Sequence, residues 1–131
     1  DLSKAIFSIP SVKGIEFGSG FRGSKLHGSE NNDPYTIKKG KIITKTNNSG
    51  GILGGISNGM PITMRIAFKP ASSIAQKQST VDIKTKKITT LQVKGRHDPC
   101  VVPRAPPVVD SLVALTLADH ALLSGAIKPV L

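Results

Sequence analysis

Residues 47–59 read Asn-Asn-Ser-Gly-Gly-Ile-Leu-Gly-Gly-Ile-Ser-Asn-Gly, five glycines in thirteen positions. Glycine loses more conformational freedom on folding than any other residue, so such a run suits the interior of neither a helix nor a strand. The chain must cross an irregular loop here, with regular elements on either side. Two pairs, Gly50-Gly51 and Gly54-Gly55, flank Ile52-Leu53. Backbone without side chains can approach a ligand closely and turn its N–H groups on an anion. The pattern is neither a Gly-x-Gly-x-x-Gly opening a helix nor a P-loop ending in Gly-Lys-Ser/Thr. Spacing alone leaves a ligand loop and a tight structural turn equally open.

The flanking sequence supplies the elements. Leu2, Ala5, Ile6 and Ile9 recur at helical spacing and Pro10 ends the pattern, which predicts a short amino-terminal helix. Val12, Ile15 and Phe17 then read as a strand closed by Gly18, Gly20 and Gly23, with residues 22–32 a polar loop. A further strand is expected over 41–46. Residues 61–69 are β-like, with Ile62, Met64, Ile66 and Phe68 alternating against Thr63, Arg65 and Ala67. Strands over 80–84 and 89–94 are turned by 85–87. After the proline-rich stretch 103–107, a helix over 108–123 carries Val109, Leu112, Val113, Leu117 and Leu123 on an apolar face and stops near Gly125. Strands in the middle and helices at the two ends predict an α+β fold with a mainly antiparallel sheet packed with helices. The helical crossovers that parallel βαβ units require are not in the pattern.

Composition narrows the partners. The 131 residues are about one domain's worth, taken here as a single unit, 1–131, with 38% hydrophobic and 20% charged residues, as in a globular chain. A net charge of +10 points to an anionic partner. Aromatics are only 4%, there is no Trp, and no RNP, zinc-finger or helix-turn-helix pattern interleaves the lysines, so nucleic acid is not the expected partner. Lys84, Lys86 and Lys87 read as a solvated hairpin face. One cysteine, Cys100, makes neither an internal disulfide nor a zinc site, and implies a reducing, cytoplasmic setting. No apolar run approaches the roughly 18 residues of a membrane helix, so no membrane partner is expected. The start Asp1-Leu2-Ser3 shows neither an initiator methionine nor a signal peptide, as expected of a piece of a longer chain.

Two further stretches concentrate polar chemistry. Phe68-Lys69-Pro70-Ala71-Ser72-Ser73 runs a strand end into a lysine and hydroxyls, which suits a phosphate by charge and hydrogen bonding. Arg96-His97-Asp98-Pro99-Cys100 places a guanidinium, an imidazole and a carboxylate within three residues. Arg96 and Asp98 are equally able to form a simple pair, and Pro99 to end a strand. No Gly-x-Ser-x-Gly elbow accompanies Ser72 or Ser73, which argues against a hydrolytic triad.

Four stretches together resemble chorismate synthase signatures. They are Ser8-Ile9-Pro10-Ser11-Val12-Lys13-Gly14-Ile15-Glu16-Phe17-Gly18, Asn48-Ser49-Gly50-Gly51-Ile52-Leu53-Gly54-Gly55-Ile56-Ser57-Asn58-Gly59, Lys69-Pro70-Ala71-Ser72-Ser73-Ile74 and Gly95-Arg96-His97-Asp98-Pro99-Cys100-Val101-Val102-Pro103-Arg104-Ala105. They occur in the family's order and spacing. The resemblance implies the carboxyl-terminal part of a layered fold, with the amino-terminal part of the same chain missing. It also implies a lyase that eliminates phosphate from 5-enolpyruvylshikimate 3-phosphate to give chorismate, requires reduced FMN and is usually a homotetramer. By the same resemblance Gly54, Lys69, Pro70, Ala71, Ser72, Ser73 and Arg96 hold the flavin, and Asp98 manages the proton at its N5. Pro10-Ser11 aligns with a flavin-contacting pair that is often Asn-Ala, and proline has neither the N–H nor the amide. Ala71 stands where the family often has threonine. His97 is expected to be structural or to support a residue that touches the flavin. The family's two proton-donating histidines fall in the missing part, and His27 and His120 are not their substitutes. The competing reading from another class is a stand-alone basic nucleotide- or nucleic-acid-binding module without catalysis.

Overall fold

The structure is a computed structural model that describes residues 1–128. Two compact units divide it, Asp1–Ala67 and the residues from Phe68 onward.

In the first unit helix α1 (Leu2–Phe7) turns Leu2 and Ile6 inward, and these with Ile9 and Val12 are its buried hydrophobic residues. The Ser8 hydroxyl donates to the Ala5 carbonyl at 2.6 Å and helps end the helix before Pro10. Strand β1 (Val12–Phe17) follows as expected. Two single-turn helices follow, α2 (Gly20–Gly23), which overlaps the start of the segment read as a polar loop, and α3 (Gly28–Asn31) within it. They are held by side chains that periodicity does not register: Glu16 accepts from the Phe21 N–H at 2.9 Å, and Glu30 from the His27 N–H at 2.8 Å.

Strands β2 (Tyr35–Lys38) and β3 (Lys41–Thr44) form an antiparallel hairpin in which Ile37 faces Ile42. Only β3 was expected. Its partner escapes because the turn is Lys39-Gly40, both at positive φ (50° and 74°), rather than the Asn-Gly or Asp-Gly that usually marks such a turn.

The glycine-rich loop holds a minimal hairpin, β4 (Ile52–Leu53) against β5 (Ile56–Ser57). Gly54 and Gly55 supply its two left-handed turn positions (φ 60° and 82°). The first pair does a different job. A side chain on Gly50 would run into the Gly18 backbone, and one on Gly51 would stand 2.5 Å from the Pro61 carbonyl. The loop is laced between two chain segments: Ser19 N–H donates to Asn48 O (2.8 Å), Thr63 N–H to Gly50 O (3.1 Å) and Gly18 N–H to Thr63 O (3.1 Å). Strand β6 (Met64–Phe68) then lies beside β1. Gly14 abuts Ala67, Glu16 pairs with Arg65 and Gly18 bonds Thr63, so one strand ascends as the other descends.

The second unit has an antiparallel hairpin of β7 (Gln78–Asp82) and β8 (Lys87–Leu91). Both strands lie about two residues earlier than predicted, because Asp82 starts the turn. Its carboxylate accepts from the Lys84 and Thr85 N–H groups at 2.8 and 3.0 Å. A 3-10 turn (Val102–Arg104) leads into helix α4 (Ala105–Leu123), with prolines in its first turn and Gly125 at φ 73° after its end.

Ala105 is buried in α4 and Val109, Leu112 and Val113 are half-buried, one stripe at helical spacing. Leu117 and Leu123, expected on that face, are exposed. From Val102 to Leu123, 22 residues reach the length and mean hydropathy (1.2) of a membrane span, which corrects the expectation that no run approaches that length. The average hides Asp110 and Asp119, each costing about 2.5–3.5 kcal/mol near a bilayer centre.

The architecture is α+β with antiparallel pairing, as predicted, although the described strands pair two by two rather than in one sheet. Much apolar surface is uncovered. The chain exposes 10406 Å², whereas two separate compact bodies sharing its mass would expose about 8,000 Å².

Candidate functional site

Pro10 and Ser11 form the turn between α1 and β1, both exposed, with Ser11 in the left-handed region at φ 71°. That conformation is uncommon for a residue with a Cβ. Gly54 sits at the tip of the β4–β5 turn, and a Cβ placed there would meet nothing within 4 Å. Gly54 is therefore demanded by its backbone angle, and its Cβ side is open to an incoming molecule.

Lys69, Pro70, Ala71, Ser72 and Ser73 follow β6 as irregular chain, all exposed except the half-buried Ala71. The ammonium of Lys69 and the hydroxyls of Ser72 and Ser73 make no hydrogen bond or ion pair with other described residues, so the donors a phosphate would use are unspent. Just beyond, the Gln92 amide donates to the Ala75 carbonyl at 2.9 Å and ties this segment to the chain leading into Arg96.

Arg96 and Asp98 do pair, at 3.2 Å from Nη1 to Oδ1. A second guanidinium, absent from the sequence-based site, reaches the other oxygen: Arg104 Nη1 lies 3.3 Å from Asp98 Oδ2. The Arg96 and Arg104 side chains are 79% and 72% exposed and that of Asp98 is 35% exposed, so the cluster is open to a ligand. His97 points elsewhere, its Nε2 donating to the Val93 carbonyl at 3.2 Å, as expected of a structural histidine. The signal for Arg104 was in the sequence, six residues past Asp98, but only the fold-back of the 3-10 turn makes it a neighbour.

A cavity of about 470 Å³ in the first unit is lined by Gly18, Ser19, Arg22, Thr63, Met64 and Arg65. It contains none of the predicted site residues. It is wide open to solvent, and Arg65 is already committed to Glu16, so it is the weaker candidate for chemistry. Nor do the perturbed acids mark a site. Burial pushes the Asp33 carboxyl up, but hydrogen bonds from Thr46, Ser49 and Asn48 outweigh it and hold the group below the usual range. The backbone N–H groups of Thr85 and Lys84 lower Asp82 in the same way. Asp33 ties a distant loop and Asp82 builds a turn. Among the described residues no group of three or more His, Cys, Asp or Glu is placed to hold a metal ion.

Comparison with known proteins decides what this arrangement belongs to. The family model for chorismate synthase matches residues 1–122, a span that includes every residue named for the site. This chain belongs to the chorismate synthase family. It is 57% identical over 129 residues to the chorismate synthase of Methanosarcina barkeri, covering 98% of this chain and 35% of that protein. The chorismate synthase of Korarchaeum cryptofilum is also 57% identical, with 97% and 36% covered. A crystal structure of chorismate synthase superposes with a TM-score of 0.71 at 31% identity, covering 94% of this chain and 30% of that one. The chain thus spans about a third of the length of the chorismate synthases it matches.

Proposed function

We propose that this chain is the carboxyl-terminal, flavin-binding part of a chorismate synthase that eliminates phosphate from 5-enolpyruvylshikimate 3-phosphate to give chorismate. The observation that carries the reading is the family match over residues 1–122, which takes in all four motifs.

The residues present fit reduced FMN. Gly54 offers a turn with open space on its Cβ side, and Lys69, Ser72 and Ser73 offer unspent donors of the kind a phosphate requires. Arg96 uses one nitrogen on Asp98 and keeps further N–H groups for an anion. Ala71 and Pro70 shape that segment without donating side-chain hydrogen bonds. At the Pro10-Ser11 turn only the serine has an N–H and a hydroxyl to offer. When bound, reduced FMN supplies the electron-rich partner that cleavage of a carbon–oxygen bond to an allylic phosphate calls for. Cationic side chains neutralise the departing phosphate, which gives the net charge of +10 a role with small anionic molecules rather than with nucleic acid or a membrane. Asp98, partly exposed and paired with two guanidiniums, is the base that takes up the proton at the flavin. The remaining proton donors come from the amino-terminal part of the same chain. Assembly as a homotetramer in the cytoplasm belongs to the same proposal.

The test is an anaerobic assay with reduced FMN and 5-enolpyruvylshikimate 3-phosphate in the full-length enzyme carrying this segment. Asp98→Asn keeps the shape but cannot accept the proton. It should bind FMN and substrate nearly as well as the parent and lose on the order of 10²–10⁴ in turnover. Arg96→Ala should weaken anion binding in the ground state as well, raising KM. The 131-residue chain alone should give no chorismate. Full turnover by the asparagine variant would remove Asp98 from the chemistry.

A further inference from the structure

Arg104 stands at a junction, ending the 3-10 turn and opening α4. It is the residue capping the amino terminus of α4, and its side chain makes no capping hydrogen bond. That position favours Ser, Thr, Asp or Asn, and the positive end of the helix dipole disfavours a cation. As the last residue of the 3-10 turn it also meets a carboxyl end that favours a cation, so the helix ends do not decide its place, and its guanidinium is directed to Asp98 Oδ2 at 3.3 Å. Extended chain would put six residues about 20 Å apart. The 3-10 turn brings them together, its Arg104 N–H bonding back to the Val101 carbonyl at 3.1 Å.

The two oxygens of Asp98 are thus held by different guanidiniums, one from each side in sequence. A carboxylate held by Arg96 alone is free to rotate about that contact. Held at both oxygens, its plane is set, and a general base is effective only when its orientation is. We propose that Arg104 is a positioning residue, which orients Asp98 for proton transfer and leaves most of the Arg96 N–H groups to the anionic ligand. The proposal rests on the reading of Asp98 as the base.

The experiment is a double-mutant cycle in the full-length enzyme carrying this segment, with turnover, KM and FMN affinity measured for each variant. Arg104→Ala is expected to lower kcat about 10–100-fold, while KM and FMN affinity stay within about twofold of the parent. Because the contact uses a single nitrogen, Arg104→Lys should restore most of the turnover, as a merely structural arginine capping a helix would not predict. In an Asp98→Asn background, Arg104→Ala should cost less than about twofold more, since the group it orients no longer acts. If Asp98→Asn loses turnover but Arg104→Ala keeps it, positioning is wrong and the base stands. Should Arg104→Ala lose FMN affinity together with kcat, or lose equally in both backgrounds, its role is binding or folding and the proposal fails. Full turnover in Asp98→Asn overturns both readings at once.

Discussion

The two units handle the same shortage of core in different ways. Among the described residues the unit Asp1–Ala67 holds every buried hydrophobic one except Ala105, and it draws its long loops together with side-chain to backbone hydrogen bonds. Asp33 reaches across 15 and 16 residues to the N–H groups of Asn48 and Ser49, and Asn47 reaches Pro61. From Phe68 onward one side-chain bond is long, Gln92 to the Ala75 carbonyl, and the others are local: Asp82 serves its own turn, and the Arg96, Asp98 and Arg104 cluster spans nine residues at the surface. The first unit is therefore a scaffold specified from within. The second presents an exposed hairpin and an open ionic cluster.

Two glycines of one loop give the sharpest way to break that contrast. Gly50 and Gly54 have nearly the same backbone angle, φ 65° and 60°. Gly50 packs against the Gly18 backbone and the Thr63 carbonyl, whereas Gly54 faces open space. Gly50→Ala combines the left-handed penalty with overpacking and should cost about 3–5 kcal/mol. Gly54→Ala should cost about 1–2 kcal/mol from the backbone angle alone, with FMN affinity falling further than stability. Native-state hydrogen exchange of the full-length enzyme, read over residues 47–59, separates the two. Equal losses would mean that the loop is not laced at Gly50 as described.

The next largest effect belongs to Asp33. Asp33→Ala leaves two backbone N–H groups and the Thr46 hydroxyl without their acceptor, a loss of about 2–3 kcal/mol. The folded Asp33 group titrates below its unfolded value, so its contribution is present above about pH 4 and disappears as pH falls through the lower folded value. Acid unfolding of the first unit should therefore be shallower in pH once Asp33 is replaced. Asp82 is lowered in the same direction, but it is fully solvated, and Asp82→Asn should change exchange only in the β7–β8 turn. An unaltered acid transition in Asp33→Ala would show that the loop is held by something else.

What could be read from the chain depended on how locally each feature is determined. Helix α1 and strand β1 follow from periodicity and from Pro10 to within about two residues, and strand β6 starts three residues later than the alternation over 61–69 suggests. Strand β2 was missed because Lys39 takes the place of the usual turn residue, and α2 and α3 because Glu16 and Glu30 cap them from the side. The Arg96–Asp98 pair was readable at a spacing of two. Arg104 was not, since its place beside Asp98 depends on the three-residue 3-10 turn between them. The face of α4 was over-read at Leu117 and Leu123, because periodicity marks an apolar residue but not the surface that covers it.

The smallest effect within this chain is also the one that tests whether the second unit waits for a partner surface. Val81 and Ile88 are directly paired across the β7–β8 hairpin, yet they are 56% and 82% exposed, and Ile83 beside the turn is 88% exposed. Two strands with no covered face are marginal in water, so the pair stabilises little here. Ile88→Thr keeps the β-branched shape and removes apolar surface. In the 131-residue chain it should change stability by no more than about 0.5 kcal/mol, the range of an ordinary surface substitution. If the hairpin is covered in the full-length enzyme, the same substitution there buries a hydroxyl and forfeits apolar contact, and should cost at least about 1 kcal/mol. Amide exchange across β7 and β8 in the two contexts makes the comparison. A large loss already in the short chain would mean that the hairpin packs within its own unit, and a negligible loss in both would mean that its apolar face stays in solvent throughout.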